Sequence, residues 1–273
     1  MKKVLENINS FEPSHIFDCG QCFRWVDIGD GVYEGVAKDR ILKVYMENGK
    51  PVIDGCTEED FENIWRDYFD LDRDYAEIKE RLGAGDPVVA KAIEYGSGIR
   101  ILKQDLWETI VSFIISQNNN IPRIRGCVER LADGFGEPVG LDDSGVLRHS
   151  LPSVEKLALL EPCDLAEVRL GYRAPYLVKA AREVMERGMP YDYESVLALT
   201  GVGPKVASCI SLFGLGDISA FPIDVWVRRL MDRLYGIPEN DTKAMKAFAE
   251  EHFGDLGGIA QQYLFYYIRE TSR

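Results

Sequence analysis

The sequence has no long apolar run. No stretch of its 273 residues approaches the ~18 consecutive apolar residues that a transmembrane helix needs. The opening Met1-Lys2-Lys3 leads into a segment that is too polar for a secretory signal peptide. We therefore expect a soluble cytoplasmic protein without membrane contact, associated with the nucleoid if its source is prokaryotic.

Histidine and paired cysteines are scarce. The chain has 3 histidines and 6 cysteines, and Cys19 and Cys22 form a lone C-x-x-C pair with no suitably spaced histidine. A structural zinc site uses four such ligands, so the sequence predicts no metal site. We expect reduced thiols, most of them buried.

Positive charge is also in deficit. The formal net charge is −13 at pH 7, whereas domains that bind nucleic acid are usually basic. The total does not exclude such a partner, because a local patch governs binding. The arginines that are candidates for a patch are Arg123, Arg125, Arg130, Arg169 and Arg173.

The spacing of apolar residues changes near residue 85. Residues 1–56 contain strand-like runs separated by the turn sequences Asp30-Gly31, Lys38-Asp39 and Asn48-Gly49. From residue 86 onward the spacing is helical, and the apolar segment 105–115 is predicted to be the central core helix. We predict an α+β fold, with a small antiparallel sheet domain and flanking helices at 1–85 and a mainly helical domain at 86–273.

Two helices are expected to cover the sheet. Thr57 followed by Asp60 is a capping sequence for the first helix, and the second is predicted over Tyr75 to Leu82. In the second domain, residues 134–150 are rich in Gly and Asp and predict a polar loop.

The segment 199–226 predicts a glycine hairpin between two helices. Gly201 and Gly203 permit a tight turn and close approach of another molecule, and Pro204 suits the first position of the following helix. Backbone N–H groups at such a helix start, including that of Val206, attract phosphate.

Lys205 and Asp224 are predicted to lie at the starts of two neighbouring helices. A lysine amine attacks electrophilic carbon when it is neutral, which burial and a helix dipole favour. Taken singly, each residue has an ordinary explanation, an exposed lysine in a first turn and a helix-capping carboxylate. The combination Gly-Val-Gly-Pro-Lys and Phe-Pro-Ile-Asp is more specific.

That combination resembles the helix-hairpin-helix DNA glycosylases. Further motifs are similar to the eukaryotic-type 8-oxoguanine DNA glycosylases and extend the resemblance over nearly the whole chain. These motifs are Phe-Asp-Cys-Gly-Gln-Cys-Phe-Arg-Trp around Gly20, Ser-Gln-Asn-Asn-Asn-Ile-Pro-Arg at 116–123, Gly-Tyr-Arg at 171–173, and Gln-Gln-Tyr-Leu-Phe at 261–265.

The resemblance implies a role for each matched residue. Lys205 and Asp224 would be catalytic. The lesion base would contact Gly20, Cys209, Gln261 and Phe265. The opposite base and a wedge would involve Asn118, Arg123, Tyr172 and Arg173. DNA phosphate would bind at Gly201, Gly203 and Val206.

The implied activity is that of a bifunctional DNA glycosylase and AP lyase that excises 8-oxoguanine opposite cytosine from double-stranded DNA. A monomer without a cofactor is expected. The four-cysteine cluster of iron–sulfur glycosylases is absent from the sequence, and a structural cation at the hairpin is compatible with the family. Two alternatives remain open. One is a glycosylase for another purine, against which Lys205 argues, and the other is a non-catalytic DNA-binding module, which would not need Asp224.

Overall fold

A computed structural model describes residues 1–272 and contains a five-stranded antiparallel sheet near the amino terminus. The strands are β1 (Lys2–Val4), β2 (Trp25–Asp27), β3 (Tyr33–Ala37), β4 (Arg40–Glu47) and β5 (Lys50–Asp54), in the order β1-β5-β4-β3-β2. The predicted meander is confirmed as β2 to β5. Strand β1, which pairs with β5, was not predicted.

Two of the predicted turns close hairpins, and their central residues adopt the left-handed backbone conformation. Lys38 and Asp39 have φ of 50° and 55°, and Asn48 and Gly49 have φ of 50° and 76°. Positive φ at both central residues matches the right-handed twist of the strands. The register that follows puts Val44 opposite Ile53, and both are buried in the core beneath the sheet.

A helical segment from Glu58 to Tyr68 packs against this sheet. It consists of α2 (Glu58–Asp60), a π-helical turn and α3 (Arg66–Tyr68), and a short helix α1 (Pro13–Phe17) lies nearby. Thr57 and Asp60 form the predicted capping box. Buried aromatic rings fill the space between these helices and the sheet. They include Phe17, Trp25, Trp65, Tyr68 and Phe69.

The prediction that the helix from Tyr75 covers the sheet is wrong. Helix α4 (Tyr75–Gly83) packs against α5 (Pro87–Tyr95), and its apolar face belongs to the core of the helical part. Ile78 and Leu82 lie in the same cluster as Val89, because the apolar faces of two adjacent helices are complementary.

The rest of the described chain is mainly helical. Helix α6 (Leu106–Ser116) is the predicted central helix, and it packs against α7, α9 and α11. The further helices are α7 (Ile121–Phe135), α8 (Val154–Ala158), α9 (Ala174–Arg187), α10 (Tyr193–Leu197), α11 (Pro204–Phe213), α12 (Val225–Tyr235), α13 (Thr242–Phe253) and α14 (Gly257–Thr271). The predicted α+β class is therefore confirmed.

The segment 134–150 is not a loop throughout. Strands β6 (Pro138–Leu141) and β7 (Leu147–His149) form a small hairpin. Its turn is held by Asp142, whose Oδ1 accepts from the N–H groups of Ser144 and Val146. A side chain that replaces backbone acceptors in this way stabilises a tight turn.

The structure bears on two expectations from the sequence, the lack of a membrane-spanning helix and the state of the cysteines. Within residues 1–272 no helix is both long and apolar enough to span a bilayer. All six cysteines are free, and five are buried while Cys163 is exposed.

Candidate active site

A cavity of about 1110 Å³ opens where several helix ends meet. The carboxyl end of α6, the amino ends of α11 and α12, and the last turns of α14 form its wall, together with the loop before β2. The predicted site residues that line it are Gly20, Asn118, Gly203, Lys205, Val206, Asp224 and Phe265. Residues that are far apart in sequence thus share one space.

The two hairpin glycines differ in why they are glycine. Gly201 has φ of 82°, and an added Cβ would lie 2.6 Å from the side chain of Tyr176, so any other residue would clash. Gly203 has nothing within 4 Å of such a Cβ and therefore leaves the backbone accessible. It precedes α11 as the cap residue and, having no side chain, gives the first N–H groups of this helix no side-chain acceptor.

Lys205 lies in the first turn of α11 and lines the cavity. Its Nζ is 5.5 Å from the ring centroid of Phe113, on the central helix. At this distance the ring attracts the charged form of the amine.

Asp224 is both a helix cap and a residue of the cavity wall. Its Oδ1 accepts from the N–H groups of Trp226 at 3.0 Å and Val227 at 2.8 Å. Burial raises the pKa of this carboxyl above its usual value, against the opposing effect of those N–H groups and of the Lys205 and Arg269 charges. Asp224 therefore caps α12, as its ordinary explanation requires, and it also lines the same cavity as Lys205.

Gly20 and Phe265 are in contact across the cavity wall. Gly20 has φ of 84°, and a Cβ there would lie 3.2 Å from Cε1 of Phe265. Gln261, one helical turn before Phe265, is 4% exposed, and its Oε1 has no hydrogen-bond partner among residues 1–272. Cys209, also buried, lies one turn after Lys205, and burial raises the pKa of its thiol. We call these four residues, which are predicted to contact the lesion base, the base pocket.

Among the residues predicted for the opposite base, Asn118 lines the cavity, and Tyr172 and Arg173 donate to the Gln117 carbonyl at the end of α6. Asn118 and Arg123 are exposed, and Tyr172 is 49% exposed. Arg173 is different, since it is 3% exposed and donates to the carbonyl oxygens of Gln117, Asn118 and Leu170. Its guanidinium lies 4.4 Å from the ring centroid of Tyr172. Of the five arginines that are candidates for a patch, Arg173 is buried and Arg125 is paired with Asp18.

A different set of cations surrounds the cavity. Besides Lys205, the lining contains Arg228, Lys243, Lys246 and Arg269, and among the described residues Asp224 is its single carboxylate. Sequence analysis missed these four residues. Lys243 and Lys246 carried a weak signal, since residues three apart share one helix face.

No group of three or more His, Cys, Asp or Glu side chains within residues 1–272 is placed to hold a metal ion.

Comparison with known proteins places this site in a family. The model for the amino-terminal domain of 8-oxoguanine DNA glycosylase matches residues 3–110, and the model for HhH-GPD superfamily base excision DNA repair proteins matches residues 111–253. The chain belongs to the 8-oxoguanine DNA glycosylase family.

Among curated members, it is 31% identical to the N-glycosylase/DNA lyase of Saccharomyces cerevisiae over 241 residues, which cover 81% of this chain and 57% of the yeast protein. It is 29% identical to N-glycosylase/DNA lyase OGG1 of Arabidopsis thaliana, covering 91% of this chain and 75% of the plant protein. The chain thus spans little more than half of the yeast relative.

Solved structures of the family are similar over the whole chain. The Clostridium acetobutylicum 8-oxoguanine glycosylase/lyase, bound to double-stranded DNA with cytosine opposite 8-oxoguanine, is 39% identical with a TM-score of 0.93, and the match covers 100% of this chain and 99% of that one. The structure of MBOgg1 with a low-affinity DNA ligand is 43% identical with a TM-score of 0.94, covering 100% and 96%.

Proposed function

We propose that the protein is a bifunctional glycosylase and AP lyase that removes 8-oxoguanine from double-stranded DNA. The observation that carries this proposal is the placement of Lys205 and Asp224 in one cavity large enough for an extruded nucleotide. The cationic residues around the cavity supply attraction for the DNA backbone despite the net charge of −13.

The proposed chemistry begins with the amine of Lys205. Its nitrogen lone pair forms a bond to C1′ of the extruded nucleotide, the N-glycosidic bond breaks, and the electron pair leaves with the base. Asp224 in its ionised form stabilises the positive charge that develops on the sugar. Ring opening then gives a Schiff base between Lys205 and C1′, and loss of the C2′ proton expels the 3′ phosphate by β-elimination. None of these proposed steps uses a cofactor.

The base pocket suits the chemical difference between guanine and its oxidised form. 8-Oxoguanine carries a proton on N7 where guanine has a lone pair. In the proposal the carbonyl oxygen of Gly20 accepts a hydrogen bond from the N7–H of 8-oxoguanine. With normal guanine the same oxygen would face the N7 lone pair and make no hydrogen bond, which disfavours guanine. Gln261 pairs with the Watson–Crick edge, for which its unpartnered Oε1 is an available acceptor. Phe265 and Cys209 enclose the two faces of the base.

The residues predicted for the opposite base are proposed to read the opposite strand. Tyr172 fills the gap that the extruded base leaves, while Asn118 and Arg123 donate to the O2 and N3 acceptors of cytosine. Arg173 joins them only if it exchanges at least one of its bonds to the Gln117 and Asn118 carbonyls. In the present conformation it fixes the shape of the turn that carries Asn118. We also propose that the glycine hairpin can bind a structural cation.

The function is tested on duplexes that differ only in the lesion. We expect single-turnover base release and strand cleavage on a duplex with 8-oxoguanine opposite cytosine, and neither on the same duplex with guanine. Duplexes with a methylated purine or a mismatched adenine test the alternative glycosylases. Excision of those bases without excision of 8-oxoguanine would contradict the proposal, and binding without any excision would support a non-catalytic module.

A further inference from the structure

Arg269 is a buried arginine whose position in the cavity wall the proposed chemistry does not explain. It lies in the last turns of α14, four residues after Phe265, and is 5% exposed. Its guanidinium lies 5.2 Å from the ring centroid of Phe265. A cation held over this aromatic face is attracted by the ring and loses freedom to rotate.

Two of its three nitrogens are committed to the protein. Nε donates to the Glu270 carboxylate at 2.9 Å, and Nη2 donates to the backbone carbonyl of Asp18. The planar fork of the guanidinium therefore has a fixed orientation, which determines where the remaining nitrogen points.

The third nitrogen has no partner among the described residues. Nη1 is buried and makes no hydrogen bond within residues 1–272. It lies 3.3 Å from the position that a Cβ on Gly20 would occupy, and Arg269 lines the same cavity as Lys205. Buried donors are nearly always paired, and a charged donor is costly to leave unpaired. An unpartnered donor at this place indicates that a ligand group completes it.

We propose that Arg269 is a specificity residue of the base pocket, and that its Nη1 donates a hydrogen bond to a carbonyl oxygen beside N7 of the extruded oxidised purine. This inference rests on the proposed function. The carbonyl oxygens that flank N7 are O6 and O8, and both lie on the edge that faces Gly20 when the Gly20 carbonyl accepts from N7–H. A guanidinium donor pairs well with such an oxygen. If the acceptor is O8, which guanine lacks, Arg269 adds discrimination to that of Gly20.

The test separates the base from the sugar chemistry. Single-turnover base release from a duplex with 8-oxoguanine opposite cytosine is compared with strand cleavage at a preformed abasic site, which has no base to contact. For Arg269→Met we expect base release to fall at least about tenfold, with abasic cleavage and its pH profile unchanged. Arg182→Met is the matched control, because Arg182 also donates to backbone carbonyls, those of Ala158 and Leu160, outside the cavity lining. It should retain both activities.

Several outcomes would overturn the inference. Wild-type base release by Arg269→Met would do so, and so would a parallel loss of both activities, which indicates a structural role or an effect through Asp224. If Arg269→Met does not fold, Arg269→Lys decides. An ammonium keeps the charge but lacks the planar fork that holds Nε on Glu270 and Nη2 on Asp18 while Nη1 faces the cavity, so we expect reduced base release, and full base release by this variant would refute the proposal. A wild-type enzyme that cleaves abasic sites but leaves 8-oxoguanine in place would instead contradict the proposed function.

A second substrate identifies the acceptor. 8-Oxoadenine retains O8 and the N7 proton but carries an amino group in place of O6. If Nη1 donates to O6, the wild type should discriminate against 8-oxoadenine and Arg269→Met should discriminate less. If it donates to O8, the substitution should slow release of both bases by the same factor.

Discussion

Gly20 lies against the ring of Phe265, so close that a Cβ on Gly20 would be 3.2 Å from Cε1 of that ring. The contact joins the loop before β2 to helix α14. Together with a φ of 84°, it explains why this position is glycine on grounds of both backbone conformation and space. The segment that carries Gly20 thus contributes a wall to the cavity that Lys205 and Asp224 of the helical body also line.

Replacing Gly20 with alanine should impair recognition of the base. We expect Gly20→Ala to lower single-turnover release of 8-oxoguanine at least about tenfold while abasic cleavage persists, because the methyl group displaces Phe265. The left-handed backbone should cost about 1–2 kcal/mol of stability. Gly31→Ala is the control, since Gly31 has φ of 71° and nothing within 4 Å. It should show a similar loss of stability with full activity, and equal activity of the two variants would remove Gly20 from the base pocket.

Asp224 should contribute mainly to the chemical step. Asparagine keeps an oxygen that can accept from the Trp226 and Val227 N–H groups, but it loses the charge. We therefore expect Asp224→Asn to slow base release by about 100-fold or more with little change in DNA affinity. Asp241→Asn alters another helix cap, at α13, and should leave the rate unchanged. Weaker binding at an unchanged rate would mean that Asp224 is only a cap.

The raised pKa of Asp224 has opposite consequences for rate and stability. Base release should fall in acid as the carboxylate is protonated, with a midpoint above the ordinary ~3.9 of aspartate. A carboxyl whose pKa is higher folded than unfolded costs stability above its folded pKa, and the cost disappears below its unfolded pKa. Asp224→Asn should therefore remove the contribution of this carboxyl to the acidic limb and leave Tm at pH 7 unchanged or higher. A lower Tm at that pH would contradict this account.

The identity of the opposite base should change the rate. Donors at Asn118 and Arg123 suit cytosine, whereas adenine presents an amino group to them. We expect faster excision opposite cytosine than opposite adenine, by about 1–3 kcal/mol in activation free energy, and a smaller difference in Arg123→Ala. Arg187→Ala, at an exposed position, is the control. Equal wild-type rates opposite both bases would show that these residues contact only the backbone.

The sequence was sufficient for those features that local patterns determine. The hairpin turns, the capping box at Thr57 and the apolar central helix follow from turn chemistry, capping and spacing. The partner of α4 could not be predicted in this way, because its apolar face fits either a sheet or another helix. Strand β1 is three residues long and gains its structure from pairing with β5.

The sequence predicted some residues of the site and missed others. The motif residues that line the cavity were found because each sits in a recognisable local sequence. Arg269 and the burial of Arg173 were not, since both depend on backbone carbonyls that are distant in sequence, at Asp18 and Gln117. No pattern near either arginine distinguishes it from a surface charge.

Trapping of a covalent intermediate tests the central claim most directly, that Lys205 is the nucleophile. Borohydride reduces a Schiff base to a stable amine, so the wild-type protein should become linked to a duplex that contains 8-oxoguanine opposite cytosine. Lys205→Gln should bind the duplex but show neither trapping nor strand cleavage. Lys243→Gln, at another lysine of the cavity lining, should still be trapped. Undiminished trapping of Lys205→Gln would show that another amine attacks the sugar.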